Sequence, residues 1–192
     1  MTQYARMVLS DCEESLRELM KSEQSTLRRR WVATVSLLRA VDHVLWKVDG
    51  KKSTALGEII KQKHDEIKLG EDAVQPPIFW GFIEDERNNV LKEYRFAIRG
   101  SLTIGLDESS LQPAAPGLPV GRSVGMTTDQ YGTRYSTWRF KPAPLECGPF
   151  AGHDPVQVVR EAIAFWHSYL DEVDRRVADL TAEVTTVRMG DR

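Results

Sequence analysis

A chain of 192 residues, 41% hydrophobic and 28% charged, is long enough to bury one real core and too apolar to stay disordered. Its formal net charge of −2 creates no global field toward nucleic acid or anionic membrane, so binding of that kind must rest on a local patch. Cys12 and Cys147, far apart and in no CxxC spacing, argue against a disulfide scaffold and a thiolate metal site and favour a reducing compartment. No run approaches the ~18 apolar residues of a membrane span, and the N-terminal stretch lacks an apolar core of signal-peptide length. These features predict a cytoplasmic protein.

Periodicity assigns the elements in chain order. From Gln3 to about Lys21, the residues Val8, Cys12, Leu16 and Leu19/Met20 recur at helical spacing between charged positions, a first amphipathic helix. Ser25 suits the N-cap of a second helix over 26–47. There Trp31, Val35, Leu38, Val41 and Leu45 trace one face, and Val32, Val44 and Val48 widen it, as in a helix buried on more than one side. Asp49-Gly50-Lys51-Lys52 reads as a turn, and Ser53 or Thr54 caps a third helix through Leu56, Ile59, Ile60, His64 and Ile67 to a stop at Gly70. Pro76-Pro77 opens a fourth helix, with Ile78, Phe79, Phe82, Ile83, Val90, Leu91 and Tyr94 as apolar positions and an end between Phe96 and Arg99.

Between Gly100 and about Pro155, Gly, Pro and Ser are dense, and Leu102-Thr103-Ile104 and the run from Tyr135 to Phe140 alternate like strands, which predicts one β-hairpin with a long loop over 107–132. Asp154 and Pro155 then cap a last helix whose seam, Val156, Val159, Ile163, Trp166, Leu170, Val173, Val177, Leu180, Val184 and Val187, is spaced alternately by three and four. Such a seam serves either the spine of an intramolecular bundle or half of a dimer interface. The fold expected is therefore all-α, a single domain over 1–192: a bundle of about five helices with a small irregular or β-hairpin insertion at about 100–153 before a long C-terminal helix.

The densest polar cluster on a packed helix runs from Glu84 to Tyr94. On an α-helix Glu84, Arg87, Asn88 and Leu91 lie on adjoining ridges, and Asp85, Asn88 and Lys92 stack. An arginine fork, a lysine point charge and an asparagine amide converging on one spot suit a phosphate. The same residues could equally form a solvated stripe of intrahelical ion pairs.

Arg87-Asn88, with a polar residue following at short helical distance on a helix entered through acidic residues, resembles the R-x(4–6)-H motif of the HEPN superfamily. The stretches Trp31 to His43, Ile78 to Tyr94 and Gly148 to Pro155 are similar to those of small bacterial HEPN-like proteins and extend the resemblance over nearly the whole chain. The resemblance implies a compact helical bundle, a homodimer in which the motifs of two protomers face each other, and a metal-independent ribonuclease or its inactive descendant, with no cofactor. RNA or a nucleotide, a second copy of the chain and an antitoxin-type protein are the partners it implies. Arg87 and Lys92 would contact the scissile phosphate, Asn88 would orient it, and Glu84 would hold Arg87 by an i, i+3 pair.

The departure from the motif matters as much. Lys92 stands where an active member has histidine, and lysine is a poor general base near neutral pH. It could stabilise a developing phosphate charge, or the site could bind RNA without cutting it. His43, beside Asp42 on the second helix, is a candidate for the missing imidazole. His64, His153 and His167 fall in no HExxH-like spacing, so no metal site is expected. Arg28-Arg29-Arg30 is a candidate nucleic-acid-binding patch, as is Arg175-Arg176. The aromatic stretch Tyr131, Tyr135, Trp138, Arg139 and Phe140 reads as hairpin packing. The alternative function class is a non-catalytic dimerisation or protein-interaction module built on the long last helix.

Overall fold

A computed structural model describes the backbone of residues 1–69, 78–104, 127–128, 134–135 and 138–190, and the side chains of 1–67, 78–100 and 142–182. The fold is all-α. Helices α1 (Gln3–Met20), α2 (Gln24–Lys47), α3 (Thr54–Leu69), α4 (79–93) and α5 (Pro155–Gly190) supply it, with one 3-10 turn at Asp49–Lys51 between α2 and α3. Strand β1 (Gly100–Ile104) pairs antiparallel with β4 (Trp138–Pro142), Leu102 opposite Phe140, and β2 (Thr127–Thr128) pairs with β3 (Arg134–Tyr135). The Gly70 stop, the Pro76-Pro77 start and most of the expected 107–132 loop lie outside the described residues.

A short link returns α2 along α1. Residues late in α1 meet residues early in α2: the Ser15 and Thr34 hydroxyls bond at 2.8 Å, and Arg30 reaches the Glu18 carboxylate at 3.1 Å. The cap of α2 differs from the sequence expectation. Glu23, not Ser25, occupies the N-cap, and its side chain and that of Thr26 satisfy one another's backbone amides in a capping box. Thr26 supplies the hydroxyl that makes the box reciprocal, which moves the helix start upstream.

The first turn of α1 is capped from a distance. Thr2 makes no cap with its side chain. Instead the fully buried carboxylate of Asp49, on the 3-10 turn, accepts from Tyr4 N at 3.3 Å and Ala5 N at 2.8 Å and pairs with Lys52. A carboxylate at these orphan amides complements the helix dipole as a local cap would. The Thr2 hydroxyl donates to Asp174 of α5 at 2.8 Å, and Arg6 donates to the same carboxylate at 3.0 Å.

One cluster of buried side chains draws on all five helices, with Trp31, Leu38, Phe79, Ile83, Trp166 and Leu170 at most 2% exposed. The seam of α5 is buried from Val159 through Val173, half-buried at Val156 and Val177, and exposed at Leu180. At the other end of α3, its first turn approaches the 3-10 turn so closely that a Cβ on Gly57 would lie 2.9 Å from the Gly50 carbonyl oxygen. Alanine is the better helix former by about 1 kcal/mol, yet here the methyl meets backbone that cannot rotate away. Gly57→Ala is therefore expected to destabilise the fold by about 1–3 kcal/mol, read as a lower thermal midpoint. A higher one would show that the two turns can separate freely.

Candidate nucleic-acid interface

The site is built on a residue that the sequence pattern leaves anonymous. Glu86, the last residue of the acidic run at 84–86, is only 5% exposed. Its Oε1 accepts from the Trp31 indole Nε1 at 2.7 Å and from Ala97 N at 3.2 Å. Burial pushes the carboxyl above the ordinary glutamate range, and the two hydrogen bonds draw it back only in part. One side chain thus fastens α4 to α2 and to the backbone that leaves α4. From Ala97 onward the chain runs as a ladder: Glu146 N donates to Ala97 O at 2.9 Å and Ala143 N to Arg99 O at 2.7 Å, leading into the β1–β4 pairing.

Helix α4 is not α-helical throughout. Phe79–Glu84 and Asn89–Glu93 are π-helical, and only Asp85–Asn88 between them is α-helical. A π turn takes one more residue than an α turn, so positions three apart no longer stack. The second π segment closes on Asn89, whose carbonyl accepts from Arg95 N at 3.0 Å and from Tyr94 N. Tyr94 closes it in the left-handed region at φ 53° and ψ 32°. Its ring stands 69% exposed. The Phe96 ring meets it edge-on, centroids 4.9 Å apart, and the Arg28 guanidinium lies 5.1 Å from the Phe96 centroid and 6.0 Å from that of Tyr94.

The structure sorts the candidate residues. Arg87 and Asn88 stand together, half-buried, with Arg87 Nη1 donating to Asn88 Oδ1 at 2.9 Å. Lys92 is exposed. The expected Glu84–Arg87 pair is not formed: Glu84 is half-buried, its Oε2 has no hydrogen-bond partner, and no ion pair joins it to Arg87 among the described residues. The triplet Arg28-Arg29-Arg30 divides, with Arg28 and Arg29 exposed and Arg30 turned onto Glu18. Among the described residues neither Arg28, Arg29, Arg87 nor Lys92 has a carboxylate partner.

The other candidates are occupied elsewhere. His43 is exposed about three turns of α2 beyond Trp31, roughly 18 Å along the axis, too far to serve the Arg87 region. His64 is packed among Trp46, Phe79 and Trp80, and His167 bonds Glu13 at 2.8 Å. Arg175 pairs with Glu172 and Asp179, and Arg176 with Glu66 and Glu172. Those contacts hold the Glu172 carboxyl down at about 2. The side chains of Tyr131, Tyr135, Trp138, Arg139 and Phe140 lie outside the described residues.

Beside α4 a cavity of about 60 Å³ is lined by Asp85, Glu86, Asn89, Phe82, Cys147 and Phe150, among others. Its two acids make it a poor receiver of phosphate. Among the described residues no group of His, Cys, Asp and Glu is placed to hold a metal ion, and no helix is long and apolar enough to cross a membrane. No family model, curated protein or solved structure matches the chain.

Sequence reasoning missed Glu86 because its partners, Trp31 and Ala97, are brought to it only by tertiary folding. A glutamine there preserves an acceptor for both donors, whereas Glu86→Ala strands the indole and the Ala97 amide and is expected to cost about 2–4 kcal/mol. The pH response follows from the raised pKa. The folded state holds the proton more tightly than the unfolded chain, so stability falls as pH rises from the ordinary 4.5 through the folded value. Urea titrations should show wild type losing ground to Glu86→Gln over that window and matching its slope below it. Parallel curves throughout would contradict the burial effect.

Proposed function

We propose that the chain is a HEPN-like protein that binds RNA through its phosphates at α4 and the start of α2. The observation that supports this most directly is that, among the described residues, Arg28, Arg29, Arg87 and Lys92 have no carboxylate partner, a state they share with Lys47, Lys51, Lys61 and Arg160. Most arginines around them are neutralised, Arg17 by Glu14, Arg30 by Glu18, Arg95 by Glu93 and Arg99 by Glu146. In a chain of net charge −2, cations left free on neighbouring elements form the local patch that a polyanion requires. Asn88 takes one donor of Arg87 and leaves the rest of the guanidinium fork for a phosphate.

Binding without cleavage is the favoured form of this reading. Lys92 supplies charge and not a proton-exchanging imidazole, and His43 lies away from the site. The family resemblance adds a homodimer as the working unit, with Arg87 of two copies facing across it.

Arg87→Ala and Lys92→Ala are each expected to weaken a labelled RNA by about tenfold and to reduce the slope of log affinity against log salt by about one for each phosphate left without its cation. Unchanged affinity in both variants, with folds intact by circular dichroism, would remove the proposal. Lys92→His tests the catalytic ancestry: chelator-insensitive cleavage gained by that variant and abolished again by adding Arg87→Ala would identify a nuclease site disabled by a single substitution.

A further inference from the structure

We infer that Tyr94, braced by Phe96 and Arg28, is a stacking platform for an unpaired nucleobase, so that the RNA held at α4 is single-stranded there. The inference rests on the phosphate-binding reading above and names its substrate class. Three observations meet at this ring. It is 69% exposed, whereas Phe79, Phe82, Trp31, Trp166 and Tyr169 are at most 4% exposed. Its backbone has the one positive φ found at a non-glycine residue among those described, a conformation disfavoured for any side chain with a Cβ. Its position is dictated by the π-turn closure on Asn89 and by the Glu86 anchor that holds Ala97, so the ring is presented by fixed backbone rather than by a pliant loop.

The surroundings select the occupant. A nucleobase offers a flat π face and brings a phosphate with it. Beside Tyr94 is Arg28, whose guanidinium lies over Phe96 and 6.0 Å from the Tyr94 centroid; exposed Arg29 follows Arg28 in the chain, and exposed Lys92 precedes Tyr94 by two residues. The nearest acid in sequence, Glu93, is held by Arg95 at 2.9 Å. Leu91, 51% exposed, is the other large apolar side chain standing out on α4. Two exposed apolar residues among unpaired cations fall short of the contiguous apolar centre of a protein interface and fit the alternation of stacking surface and positive charge that single strands use. A duplex keeps its bases stacked inside and could meet only the cations.

The test compares a fluorescein-labelled 12-nucleotide single strand with a 12-base-pair RNA duplex, by anisotropy, on the full chain. Three variants are needed: Tyr94→Gly, which suits the left-handed backbone and removes the ring, Tyr94→Phe, which keeps it, and Lys92→Ala. Tyr94→Gly is expected to weaken the single strand by about five- to a hundredfold, from the range for one stacked base, while leaving the duplex and the salt slope unchanged. Tyr94→Phe should bind as wild type does. Lys92→Ala should weaken both ligands and lower the slope by about one. If Tyr94→Gly binds single strand like wild type, or loses both ligands equally, the platform is refuted while a Lys92 effect leaves phosphate binding standing. If wild type binds neither RNA, both readings fall together.

Discussion

The buried carboxylate of Glu86 is the constraint on which the site depends. Removing an ionisable group from water costs several kcal/mol unless hydrogen bonds replace those to solvent, and here an indole N–H and a main-chain amide do so. Because one donor belongs to α2 and the other to the chain leaving α4, satisfying the carboxylate sets the position of both. The turn between them, residues 94–96, has little freedom left. The Tyr94 ring and the Arg28 guanidinium meet because the elements carrying them are fixed on either side of the Trp31–Glu86 bond. A second buried carboxylate, Asp49, plays the corresponding part at the start of α1.

Charge is distributed in a way that net charge conceals. At −2 overall the molecule has no long-range pull on a polyanion, and most exposed arginines are neutralised locally, as in the Arg175–Glu172–Arg176–Glu66 chain on α5 and α3. Exposed pairs of this kind contribute little stability, roughly 0–1 kcal/mol each. Their larger effect is to remove those cations from competition for a ligand. The RNA association proposed at the unpaired cations of α2 and α4 would accordingly be short-ranged and sensitive to salt.

Helices α1, α2, α3 and α5 were legible in the sequence because amphipathic spacing and capping residues are local signals: Asp154 caps α5 through Val156 N at 2.7 Å, and Ser53 accepts from Leu56 N at 3.2 Å. The polar run of α4 was legible as composition, and Arg87, Asn88 and Lys92 were named from it. Their mutual geometry was not, because the ridges were drawn for an α-helix and α4 winds largely as π turns. Nor could Arg28 and Tyr94 be joined, or Glu86 told from Glu84 and Asp85, since the contacts that distinguish them connect distant parts of the chain. A carboxylate in a run of acids reads as solvated until its tertiary donors are known.

The exposed, left-handed Tyr94 is a local conflict between side chain and backbone. A non-glycine residue in that conformation costs about 1–2 kcal/mol, and burying an aromatic ring would have been worth a comparable amount in the other direction. Glycine or asparagine at this position would close the π turn on Asn89 with less strain. The ring therefore contributes little to the fold that a smaller residue would not, and its stabilising contacts, with Phe96 and Arg28, are themselves half at the surface. Stability alone does not account for an aromatic residue at this place; the proposed nucleobase, a flat ligand arriving with its own negative charge, would.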